Sequence, residues 1–203
     1  MAQTINDFKS TLKGGGARPN LFEVQLTSFP GSSGANYSSR DFSVLCKSAQ
    51  LPASNIASID VPFRGRTFKV AGDRTFDTWS VTVINDEDFK IRNSMERWMQ
   101  LIGQYGDGSG FTDPGSYMVD ATVIQLGRKN SNDGYGKSNA VGKGFQSLAV
   151  YRFKDIFPTS ISAIDLSYDS SDTIEEFTVD FQVQYWYPDS AGSASPTSSF
   201  TAA

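Results

Sequence analysis

Ala71-Gly-Asp-Arg-Thr-Phe-Asp-Thr-Trp-Ser-Val-Thr-Val-Ile-Asn-Asp86 reads as a turn, then a two-faced strand, then the start of a helix. Gly72-Asp73 supplies turn chemistry, because glycine tolerates positive φ and aspartate can bond its own backbone. After it, Trp79, Val81 and Val83 alternate with Thr78, Ser80 and Thr82, so one face seeks a core and the other stays polar. Asn85 is placed to cap the next element, with Asp86, Glu87 and Asp88 favouring the positive end of its dipole. Ile91, Met95, Trp98 and Ile102 then fall on one stripe of a helix running to about Gly103, which predicts a helix lying on a sheet.

Working outward, the same alternation recurs. Strands are expected at Leu21–Leu26, Phe42–Ala49, Ile56–Phe63, Thr67–Val70, Phe76–Ile84, Tyr117–Leu126, Phe145–Phe153 and Ser160–Tyr168. Arg64-Gly65-Arg66 joins two of them, and Pro52 ends one or marks a sheet edge. The clearest strand is the last: Phe177, Val179, Phe181, Val183 and Tyr185 oppose Glu176, Thr178, Asp180, Gln182, Gln184 and Trp186. Thr4 and Asp7 have capping-box spacing ahead of Ile5, Phe8 and Leu12, which predicts a short amphipathic N-terminal helix that Gly14-Gly15-Gly16 stops. Residues 28–40, 103–116 and 127–144 have loop composition, and the last two exceed the usual connection length. Residues 1–187 are expected to form one domain, with 1–16 as an N-terminal extension and 188–203 as a flexible Ser/Ala-rich tail.

Composition narrows the function classes. The chain has 203 residues, enough for one domain with long loops, and it carries 15 Phe, 8 Tyr and 3 Trp, a mix that suits pleated surfaces. With 18 basic and 22 acidic residues the formal charge is −4, so the cationic surface that binds phosphate backbones is lacking. There is no His, which removes the usual general base and the commonest metal ligand together. A Ser-His-Asp triad is therefore impossible, and the lone Cys46 has neither a disulfide partner nor a base to activate it. No apolar run suits a signal segment or a bilayer span, so synthesis and folding in a cytoplasm are expected.

Motifs that imitate chemistry fail on context. Ser131-Asn-Asp-Gly-Tyr-Gly-Lys-Ser138 ends like a phosphate loop, yet Ser131 stands where glycine is required and a strand follows where a helix should. Gly106, Gly108 and Gly110 lack the spacing and setting of a dinucleotide fingerprint. Asp169, Asp172, Glu175 and Glu176 match no calcium loop. Asn36-Tyr37-Ser38 fits a glycosylation acceptor without a secretory signal. No catalytic residue, cofactor or metal is expected.

Against that background the ordered landmarks carry a resemblance. Ala17-Arg-Pro-Asn-Leu-Phe22, Cys46-Lys47, Leu51-Pro-Ala53 and the opening run come first. Phe157-Pro-Thr159, Leu166-x-Tyr168-Asp-Ser170, Glu176-Phe177-x-Val179 and Tyr185-Trp186 follow. Together they resemble the tail tube proteins of T4-like contractile-tailed bacteriophages, from Ala17 to Trp186. The resemblance implies a mainly β, antiparallel β-sandwich or barrel-like tube subunit with one flanking α-helix and a short N-terminal helix. It implies six-membered homo-hexamer rings that join their sheets around a lumen and stack into a tube in the virion. A contractile sheath, baseplate and tail terminator would be partners, and DNA would pass without specific binding or any membrane. Related tubes occur in contractile injection devices and type VI secretion.

On this reading Arg18, Asp73, Arg74, Asp77 and Trp79 are candidate assembly contacts. Glu23, Gln25, Glu176, Asp180 and Gln182 are candidates for the lumen, because they oppose the apolar face. A monomeric carbohydrate-binding β-sandwich is the competing reading, since aromatics and acidic loops suit sugars.

Overall fold

The computed structural model describes residues 4–12, 16–30, 39–130, 145–169 and 171–189. In chain order the elements are α1 (Ile5–Thr11), β1 (Phe22–Leu26), α2 (Ser39–Leu45), β2 (Cys46–Ala49), β3 (Ser54–Phe63), β4 (Arg66–Phe76) and β5 (Trp79–Ile84). Then come α3 (Lys90–Ile102), a 3₁₀ turn (Pro114–Ser116), β6 (Val119–Asn130), β7 (Phe145–Ile161), β8 (Glu176–Gln182) and β9 (Tyr185–Asp189). The larger sheet has the order β1-β6-β7-β8-β5-β2, with β9 on β7, while β3 and β4 form a separate two-stranded ribbon. The ladders β2–β5, β5–β8, β7–β8 and β3–β4 are antiparallel. Among the described residues the larger sheet does not close on itself, so the subunit is mainly β and sandwich-like rather than a barrel of its own.

The chain divides into two compact units. The larger comprises Gln25–Ala121 and Phe153–Trp186, and it holds the core. There the register sets Trp79 opposite Phe181, Val81 opposite Val179 and Val83 opposite Phe177, so the alternation of β5 and β8 builds a single apolar face. Trp79 stacks on Phe153 with centroids 4.8 Å apart and leans on Phe181. Helix α3 covers this face: Ile91, Ser94, Met95 and Trp98 are buried, and the Trp98 ring meets both Phe181 and Phe29. Each large apolar side chain so buried contributes about 1.5–3 kcal/mol. The Arg92 guanidinium lies 5.5 Å from the centroid of Phe177 and also binds Glu96, one turn along the helix.

The smaller unit comprises Met1–Val24, Thr122–Arg152 and Tyr187–Ala203. Its β1 start is tied to β6 by the Leu126 N–H donating to the Leu21 carbonyl at 2.8 Å. Arg152 Nε pairs with Asp189 Oδ2 at 2.6 Å. Helix α1 carries the expected capping box, in which Thr4 Oγ1 accepts from the Asp7 N–H and the Asp7 carboxylate accepts from the Thr4 N–H. The bonds that the Thr4 N–H and the Thr4 hydroxyl donate to the Asp7 carboxylate hold that carboxyl below its ordinary value.

Several expected boundaries move. The Phe42–Ala49 strand divides into a helix, α2, which buries Phe42, and only then the strand β2. The strand expected at Ser160–Tyr168 is not there; β7 instead runs unbroken to Ile161. Asp155, at φ 53°, bends β7, and its register shifts beside Pro158, so residues that read as a break sit at irregularities inside a strand. The strand expected at Phe76–Ile84 divides at Asp77-Thr78, and the last strand divides into β8 and β9, which extends to Asp189. Gly72-Asp73 makes no turn, because it lies inside β4 where the register slips between Ile56 and Ser58. Asn85 caps nothing: it is bound to the start of β8 through Glu175, and Phe89, at φ 52°, precedes α3. The glycine stop at 14–15, the phosphate-loop mimic, Asn36-Tyr37-Ser38 and the tail from 190 onward lie outside the described residues.

Candidate assembly surface

The β3–β4 ribbon belongs to the larger unit, and its sequence explains its shape. Arg64 and Gly65 both have positive φ, 45° and 79°, which is the two-residue turn whose twist matches a right-handed hairpin. Ile59 then faces Val70, Asp60 faces Lys69, Val61 faces Phe68 and Phe63 faces Arg66. Directly opposed residues share a side, so the ribbon has an apolar face of Ile59, Val61, Phe63, Phe68 and Val70. Its other face carries Asp60 and Lys69, ion-paired at 2.9 Å.

Among the described residues neither face is covered: β3 is exposed along its whole length, with Phe63 65% exposed and, on β4, Phe68 66% exposed. A two-stranded ribbon is marginal in water by itself, and a bare apolar patch of this kind marks an interaction surface.

The bulge at Gly72 lets the ribbon bend where it leaves the sheet. A Cβ on Gly72 would meet the Ala57 carbonyl at 3.1 Å and Ile59 Cγ1 at 3.2 Å. At the base, Asn55 Nδ2 donates to Asp77 Oδ1 at 3.0 Å, and the Asp77 N–H donates to the Ala53 carbonyl. Thus the predicted Asp77 fastens the root of the ribbon. Asp73 and Arg74 lie exposed along β4 beside the bulge, with no ion pair among the described residues. Trp79 is fully buried against Phe153, so within the subunit its indole belongs to the core. Arg18, in the smaller unit, accepts through its carbonyl from Gln125 Nε2 at 2.6 Å.

The polar residues of β5 and β8 form a hydroxyl-rich wall on the side away from α3. Asp180 accepts from Ser80 Oγ at 2.5 Å and from Ser160 Oγ at 2.8 Å, and the Thr82 and Thr178 hydroxyls bond across the ladder. Glu176 binds Lys47 of β2 at 2.5 Å, and Gln182 is half-buried. Glu23 and Gln25, on β1, are half-buried as well. Cys46, opposite Val83 in the β2–β5 ladder, is half-buried, and burial pushes its thiol up to about 12, which keeps it protonated and unreactive.

The ribbon leaves the β5–β8 ladder at its Trp79–Phe181 end; a second exposed feature sits at the Ile84–Glu176 end. There Ala163–Ser167 and Thr173–Glu176 line a groove of about 330 Å³. Leu166, Tyr168 and Ile174 stand out from this loop almost uncovered. Sequence reasoning named neither the apolar ribbon face nor these three side chains. The available signal was alternation in both ribbon arms with no third element to cover it.

An open sheet with a bare amphipathic ribbon defines a class, the β-subunit that completes its packing outside itself. Comparison makes this particular. A sequence profile described as phage tail tube protein matches residues 17–189, and the chain belongs to that family. It is 32% identical over 170 residues to the tail tube protein gp19 of Enterobacteria phage T4, covering 84% of this chain and 90% of that one. It is 25% identical over 180 residues to the tail tube protein of Serratia phage KSP90, covering 88% and 93%. Solved structures share the fold at low identity. A chain of the anti-feeding prophage tube-terminating cap aligns with TM-score 0.56, at 14% identity over 86% of this chain and 91% of that one. A chain of the sheath–tube complex of an extracellular contractile injection system aligns with TM-score 0.53, at 12% identity over 93% and 99%. The protein is thus a structural tail tube subunit, a virion component.

Proposed function

We propose that six copies form a ring, that rings stack into a hollow tube, and that the tube conducts DNA during ejection without binding it specifically. The observation that carries this reading is the amphipathic β3–β4 ribbon, whose apolar face has no cover among the described residues. The end strands β1 and β2 of the open sheet support ring closure, since an unpaired edge is a template for another chain. A contractile sheath would surround the tube, and baseplate and terminator proteins would bound it. Assembly takes place in the host cytoplasm, and the subunit performs no catalysis.

In this reading Glu23, Gln25, Glu176, Asp180 and Gln182 face the lumen. A wall of hydroxyls and acids repels or ignores phosphate, as a conduit requires. Residues 1–187 act as one tube domain, with 1–16 as an N-terminal extension.

Negative-stain microscopy of the purified chain tests the proposal. Rings or hollow filaments are expected, and dispersed monomers at high concentration would overturn it.

A further inference from the structure

We propose that the joint between stacked copies is made by the β3–β4 ribbon of one copy seated on the 163–176 loop of the next. This rests on the tube-subunit reading and specifies the receiving surface. Three observations converge on it.

First, each surface is an apolar set that no described residue of its own subunit covers. The ribbon offers Ile59, Val61, Phe63, Phe68 and Val70, and the loop offers Leu166, Tyr168 and Ile174 beside a groove. Second, their rims have opposite charge. Arg64 and Arg66 flank the ribbon tip, and Asp165, Asp169 and Asp172 flank the loop; none of the five makes an ion pair among the described residues. Complementary rims of this kind set register and suppress wrong partners.

Third, the two surfaces lie at opposite ends of one ladder, the ribbon beyond Trp79–Phe181 and the loop beyond Ile84–Glu176. A surface at one end that fits a different surface at the other produces head-to-tail contacts, which propagate as an open stack wherever the rotation between copies does not close a ring. A second copy of the chain is therefore the occupant.

Charge exchange tests this directly. Arg64→Glu with Arg66→Glu in one chain, and Asp169→Lys with Asp172→Lys in another, should each raise the concentration needed for tube growth roughly tenfold or more. An equimolar mixture of the two chains, or one chain carrying all four changes, should regain tubes, with the gain weakened at 1 M salt. The charge variants are accepted only with wild-type melting curves. In a Cys46→Ala background, Phe68→Cys and Tyr168→Cys in separate chains should give a disulfide-linked dimer under mild oxidation. Failure of both exchange and cross-linking, while the wild type still forms tubes, would overturn this joint and leave the tube reading standing. A wild type that forms no tubes would overturn the tube reading itself.

Discussion

Trp79 and Trp98 are both fully buried in one core, yet their indole N–H groups have different fates. Trp98 Nε1 donates to the Tyr117 carbonyl at 2.7 Å, whereas Trp79 Nε1 has no acceptor among the described residues. Leaving a buried donor unpaired costs about 1–3 kcal/mol, comparable to what the larger ring gains over phenylalanine by burial. Trp79→Phe should therefore change stability by less than about 1 kcal/mol. Trp98→Phe, which leaves a cavity and strands the Tyr117 carbonyl, should cost about 2–4 kcal/mol. Urea denaturation of dispersed subunits measures both; equal losses would mean that the Trp79 N–H is satisfied after all. The same pair shows how sequence reading errs at this scale. Trp79 sits inside the most recognisable run, which makes it a candidate assembly contact, while its place in an alternating strand marks it as core, and within the subunit it is core.

At the scale of the element, the ribbon depends on two glycines for different reasons. Gly65 needs its positive φ, but open space surrounds it, so Gly65→Ala should weaken the turn by roughly 1–2 kcal/mol and leave assembly intact. Gly72 instead needs its missing side chain, because any Cβ crowds the Ala57 carbonyl and Ile59. Gly72→Val should force the bulge out of register, and a one-residue slip would turn the apolar residues to the opposite face. Tubes should then be lost by microscopy while the fluorescence of the buried tryptophans stays unchanged; tubes of normal length would show that the bulge is dispensable. Strands with strict alternation, β5 and β8 above all, were legible from sequence because burial on one side dictates period two. The elements that were misread all involve an irregularity. Phe42 to Leu45 is aromatic and β-branched enough to pass for a strand, although Asp41 in the first turn favours a helix. Asp155 and Pro158 fall between two expected strands, Phe145–Phe153 and Ser160–Tyr168, because a bulge and a chain break use the same residues. The ribbon's arms were visible, but that nothing covers them is a tertiary fact.

The whole molecule separates two jobs. Its core, beneath α3, is packed within one subunit, whereas on the proposed joint the ribbon is covered only when another copy supplies a surface. That division has a kinetic consequence. On that joint, the first contact must fix the ribbon and its side chains against a single surface, so the earliest association gains little and loses conformational freedom. Each later addition meets a preformed acceptor. Growth from pure subunits should accordingly show a lag in light scattering, and sheared tube fragments added at the start should abolish it; an immediate, seed-independent rise would contradict this. Where a tube begins is then decided by whatever presents the first ordered acceptor, not by the abundance of subunits.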